Sequence, residues 1–151
     1  MKSKFTPLTF IVFFCLGITF SPLSVKAQSF RKMYEQASMY FNNNRYSQAL
    51  PFLLSLDSMQ ADNNNIKFQI GVCYFNAPIH QEKAVPYLIA ASHDVSESYN
   101  PNSEKEKHAP EDSCRELAEA YHLTYQFDTA IAYYHKFLSY TDTTKDKKTL
   151  E

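Results

Sequence analysis

"AEAYHLTYQFDTAIAYYHKFL", residues 118–138, sets a tyrosine three places after a small residue (Ala118, Tyr121), passes a short polar turn, and opens a second apolar run on another small residue, Ala130. Two other stretches share this order: "ASMYFNNNRYSQALPFLLSL" at 37–56, with Ala37, Tyr40 and Ala49, and "GVCYFNAPIHQEKAVPYLIAA" at 71–91, with Gly71, Tyr74 and Ala84. Gly71 follows Ala37 by 34 residues and Ala84 follows Ala49 by 35; Ala118 follows Gly71 by 47, so about thirteen residues are inserted before the third unit. The insert is "SESYNPNSEKEKHAP", polar and charged.

Each unit reads as two antiparallel helices. A small residue lets one helix approach the other closely, and a tyrosine three places on lies on the same face, where it fills the space one turn later. The second helices carry a bulky residue four places after their small one, at Leu53, Leu88 and Tyr134. Ser47 and Asp128 are expected as helix N-caps, and Pro51 and Pro86 are expected near the first turn, where a missing N–H costs least. A single helix pair cannot bury its apolar face, so the units are expected to stack. The fold class is all-α.

Composition supports helices over sheets. The chain has two glycines, and Gly17 lies in the N-terminal apolar run, so only Gly71 remains for the positive-φ positions of hairpins and phosphate loops. Formal charge is −1, from 15 Lys and Arg against 16 Asp and Glu, which offers no general attraction to nucleic acid. Residues 1–27 have the three parts of a secretory signal: Lys2 and Lys4, an apolar run from Leu8 to Phe20, and small residues Val25 and Ala27 before Gln28. That run spans roughly 20 Å as a helix, short of a hydrocarbon core of roughly 30 Å. The chain is expected to be exported and cut, with no integral membrane span afterwards. Cys73 and Cys114 would then meet an oxidising compartment; a bridge is conceivable, but their places differ by about 9 Å of helical rise, which disfavours it.

At these residues the chain resembles the tetratricopeptide repeat family, with Tyr46 and Phe127 as the aromatics before the second small residue. Unit two departs, with Gln81 or His80 there, and the closing proline is missing, with Ala61 at its place in unit one. The resemblance implies a solenoid of about three antiparallel helix pairs over 28–144, with repeats at about 30–63, 64–98 and 111–144, a polar insert at 99–110, and the start of a capping helix at 145–151. With so little cap, Ile131, Tyr134, Phe137 and Leu138 are expected to stay partly uncovered and to favour a partner or self-association.

The chain is similar, more narrowly, to the N-terminal repeat module of Bacteroidota envelope proteins. In those proteins the repeats precede a WD-repeat-like propeller and an OmpA-like domain, and members are associated with type IX secretion and gliding. The resemblance implies a non-catalytic protein-interaction scaffold in the periplasm or at the outer membrane, with a stand-alone periplasmic adaptor for a client peptide as the alternative.

In such arrays the first helices line a concave groove. Counting along them gives Tyr34, Phe41 and Asn42, then Phe68, Phe75 and Asn76, then Arg115, Glu119 and His122 as the expected peptide-binding residues, with Arg31, Ser38, Asn65, Val72, Asp112 and Leu123 on the same stripes. An apolar groove with polar ends suits an extended or helical peptide; the competing reading of its aromatics is core, as for most aromatics at helical spacing. No catalytic residue, metal site or cofactor is expected. The five histidines form no nucleophile–base arrangement with a serine or cysteine, and neither a zinc-helix His pair nor a CxxC occurs.

Overall fold

The computed structural model describes residues 22–77, 80–101 and 103–149, with side chains from 26 to 141. Most of the expected leader, residues 1–21, lies outside the described residues. Among those described, the architecture is all-α: α1 (Pro22–Asn42), α2 (Tyr46–Met59), α3 (Asn64–Phe75), α4 (Ala84–Ala91), α5 (Asp112–Leu123) and α6 (Phe127–Thr149), with a 3₁₀ turn at Gln81–Lys83 leading into α4. Extended pairing is limited to one isolated bridge, Val95 with Ala109. No described helix is long and apolar enough to cross a membrane.

The helices pack in chain order, α1 on α2, α3 on α4 and α5 on α6, with α2 against α3 and α4 against α5 joining the pairs. All six small residues of the three units are buried: Ala37, Ala49, Gly71, Ala84, Ala118 and Ala130. At Gly71 the approach is close enough that a Cβ would lie 2.6 Å from Leu88 Cδ2 and Cγ. Beside each close approach an aromatic pair fills the widening gap. Tyr40 stacks on Phe52 (5.8 Å between centroids), Tyr74 on Tyr87 (6.0 Å) and Tyr121 on Tyr133 (5.8 Å). Each pair joins the residues three places after the two small residues of its unit, so a local spacing in the chain becomes one inter-helix contact used three times.

The turns within pairs correct the capping expectation. Ser47 lies inside α2, whose N-cap is Arg45 and which has no side-chain cap hydrogen bond. Asp128 is in the first turn of α6, where its charge favours the helix dipole without capping. What shapes these turns is a left-handed residue in each: Asn44 (φ 57°), His80 (φ 69°) and Tyr125 (φ 61°). The Gly-poor chain thus places non-glycine residues at positive φ, with the largest strain at Tyr125, for which this region is a true outlier. Pro51 lies within α2, five residues after Tyr46 and beyond the first turn. Pro86 follows Gln81 by the same five residues, so the two prolines are equivalent once the 3₁₀ turn is counted with α4.

At the C-terminal end, α6 continues without a break through 145–149, where a separate capping helix was expected. Ile131 and Leu138 are 53% and 50% exposed, while Tyr134 and Phe137 are partly covered. Cys73 and Cys114 are both buried and unbonded.

Gly71→Ala is expected to destabilise the protein by about 1–2 kcal/mol in urea unfolding, because overpacking of about 1–3 kcal/mol exceeds the gain in helix propensity of about 1 kcal/mol. In a Leu88→Ala background the same substitution becomes neutral or stabilising; additive effects would refute the close contact.

Candidate functional site

The expected groove residues separate into buried and accessible sets. Tyr34 and Phe68 are only 4% and 8% exposed. Phe41 meets Tyr46 edge to face at 5.7 Å and packs against both halves of the core. These three are chiefly packing residues, as aromatics at helical spacing usually are. Asn42 and Asn76 are exposed, and Asn76 donates from Nδ2 to Val72 O at 2.9 Å, closing the C-terminal end of α3.

Arg115 is already paired along its own helix, with three of its five N–H donors used. Its guanidinium donates to Asp112 (3.1 Å), Glu116 (2.7 Å) and Glu119 (2.7 Å), all on α5. Burial raises the Glu116 carboxyl above its usual range even with Arg115 beside it, so desolvation outweighs the ion pair. Beyond this cluster, Glu119, His122 and Leu123 join Phe75 of α3 and Tyr134 of α6 around a small apolar cleft of about 190 Å³. His122 is exposed and its ring meets Phe127 edge to face at 5.4 Å. This cleft brings four expected stripe residues together and adds Tyr134 from a second helix.

A second, larger cleft of about 590 Å³ lies along α1. On one side are Arg31, Tyr34, Ser38 and Asn42, the unit-one stripe; on the other are Pro101, Ser103, Glu104 and Lys105 of the insert. The insert therefore lies opposite the expected groove, a placement that its polar composition does not reveal. Its stem is held by Ala109 N–H to Asp94 O (2.8 Å) and Ser96 N–H to Ala109 O (3.0 Å).

From that stem the insert reaches the first turn of α3. Lys107 O accepts from the backbone N–H groups of Asn64 (2.8 Å) and Asn65 (3.2 Å), donors that a helix start otherwise leaves unpaired. Asn63 caps α3 through Oδ1 to Ile66 N–H (3.0 Å) and donates from Nδ2 to Glu106 O (3.2 Å). Tyr99 donates its hydroxyl to Asn65 Oδ1 (2.8 Å), and Asn65 Nδ2 donates to the Tyr34 hydroxyl (3.1 Å). Burial raises the Tyr99 phenol pKa, with Tyr34 and Glu106 adding to it, so the hydroxyl stays protonated and able to donate.

Surface ion pairs surround these bonds: Arg31–Glu104 (3.4 Å), Lys107–Asp62 (2.8 Å) and His108–Asp94 (2.9 Å). The Asp94 hydrogen bond and charge raise the His108 pKa, and the His108 and Asn64 hydrogen bonds lower that of Asp94.

Among the described residues no group of three His, Cys, Asp or Glu side chains is placed to hold a metal ion. Burial pushes the Cys73 thiol up to about 12, far from a reactive thiolate, and Cys114 is raised for the same reason. The chain matches no protein-family model, no curated protein and no solved structure.

The charged His108–Asp94 contact is present in full below the ordinary histidine pKa of about 6.5 and fades as pH rises through the raised folded value; at the acid end it fades as pH falls through the lowered Asp94 value. NMR titration of the His108 ring is expected to give a pKa above about 6.5 that drops toward it in Asp94→Asn. Equal values in the two proteins would contradict the pairing.

Proposed function

We propose that the chain is a non-catalytic protein-interaction scaffold of tetratricopeptide type that works in the cell envelope after export. The observation that carries this reading is the burial of all six small residues of the three units between helices that pack in chain order. It is the use such residues have in stacked helix pairs, whose surfaces serve as peptide-binding faces. The similarity to the repeat module of Bacteroidota envelope proteins extends the proposal to a secretion-associated assembly at the periplasmic or outer-membrane side.

The accessible part of the binding face is the cleft of Phe75, Glu119, His122, Leu123 and Tyr134. Its apolar floor and single carboxylate suit a short peptide segment with a bulky apolar side chain entering beside Phe75. His122 and Leu123 are exposed, so they can be changed without opening the core.

Tagged protein made in its own cells and purified from envelope extract tests this directly. The His122→Ala/Leu123→Ser variant should retain its helical signal and capture the main co-purifying protein at least about fivefold less well than wild type, for loss of roughly 1 kcal/mol or more of binding. Mass spectrometry of the same bait should give Gln28 as its first residue. Equal capture by both proteins would remove the cleft as the binding face, and a bait beginning at Met1 in the cytosol would remove export.

A further inference from the structure

The first turn of α3 meets the insert in the way a receptor meets a peptide loop. Two backbone N–H groups, of Asn64 and Asn65, converge on the single carbonyl of Lys107, and the Asn63 amide takes the preceding carbonyl, Glu106. A few ångströms along, the Asn65 amide accepts the Tyr99 hydroxyl while donating to Tyr34. Carbonyls read by N–H groups and one side chain read by a buried amide are the two components of peptide recognition, affinity from main chain and selectivity from a side chain.

The insert is held mainly by polar contacts, including three backbone N–H groups that donate to the Glu106 carboxylate. Between Ser96 and His108 its own backbone bonds are turn contacts of 3.1–3.3 Å, from Tyr99 to Ser96, Ser103 to Asn100 and Glu106 to Ser103. Its ion pairs are solvent-exposed, a class of contact that contributes little. A cleft of about 590 Å³ lies between α1 and Pro101, Ser103, Glu104 and Lys105, bridged by the Arg31–Glu104 ion pair. Segments with few buried apolar contacts open before the core does.

A second observation concerns the amide next to Asn65. Gln69, 4% exposed, donates from Nε2 to Asn65 Oδ1 at 3.1 Å, and the oxygen of the same amide is buried with no hydrogen-bond partner among the described residues. A buried acceptor without a partner is uncommon and unfavourable, and here it sits beside the amide that holds Tyr99.

We infer that the start of α3, together with Tyr34, is a peptide-recognition site occupied in cis by Tyr99, Glu106 and Lys107, and that it takes in trans a turn-forming segment carrying a tyrosine hydroxyl and, seven residues on, two consecutive backbone carbonyls. The inference rests on reading the helical face as a binding surface and names the chemistry of its occupant. The insert is then a competitor within the chain: a partner segment binds by displacing Tyr99.

A fluorescent peptide with the sequence of residues 96–109 is the probe, titrated onto the full chain. Tyr99→Ala protein, its cis occupant weakened, should bind the peptide with Kd at least about tenfold below that of wild type. Replacing the tyrosine of the peptide by phenylalanine should weaken binding about tenfold, and adding Asn65→Ala to the protein should cancel the gain. Folded Tyr99→Ala protein that binds the peptide no better than wild type does would overturn the inference. Hydrogen exchange on the wild-type chain gives an answer that needs no variant: the Asn64 and Ala109 amides should open at least about tenfold more often than the Ile70 amide, and equal protection would overturn it. Neither measurement uses the envelope partner, so loss of capture by the scaffold and failure of this site are separate results.

Discussion

Everything in this protein follows from how closely two helices of a pair can approach. At Gly71 the facing Leu88 leaves no room for even one methyl group, and alanines serve the same purpose at the other five contacts. Close approach at one level forces the helices apart at the next, where Tyr40 with Phe52, Tyr74 with Tyr87 and Tyr121 with Tyr133 fill the gap as stacked rings. A small contact and an aromatic wedge together set the spacing of each pair, and side-by-side packing of α2 on α3 and α4 on α5 carries that spacing along the chain.

This part of the fold was legible because it depends on local spacing. The all-α class, the small residues and the first-helix tyrosines are read directly from three similar stretches. The stacking partners Phe52, Tyr87 and Tyr133 carry an equal signal, the same offset of three from the second small residue, and can be found by aligning second helices as strictly as first ones. The turns were less legible. Composition favours a polar cap such as Ser47, whereas the chain uses Asn44, His80 and Tyr125 in left-handed geometry, held at the exposed Tyr125 by the local bonds of Tyr125 N–H to His122 O and Gln126 N–H to Tyr121 O.

The candidate face was read only in part, for a different reason. Helical counting identifies which residues share a stripe but not what covers them. Tyr34 and Phe68 prove buried, Arg115 pairs with three neighbouring carboxylates, and Phe75, Glu119 and His122 do come together. The insert was read as a polar spacer because its anchors are main-chain carbonyls and one phenol, which leave no pattern in composition. Its partners, Asn63, Asn64 and Asn65, lie more than thirty residues away and register in sequence only as a polar start to α3.

The account therefore depends most on where Tyr99 rests in the free protein. Nuclear Overhauser contacts between its ring protons and the side-chain amide protons of Asn65 report that position, with the Tyr34 ring on the other side of the same amide as an internal reference. Cross-peaks from the Asn65 amide to both rings are the predicted result. A Tyr99 ring at random-coil shifts, with only the Tyr34 contact present, would contradict the account.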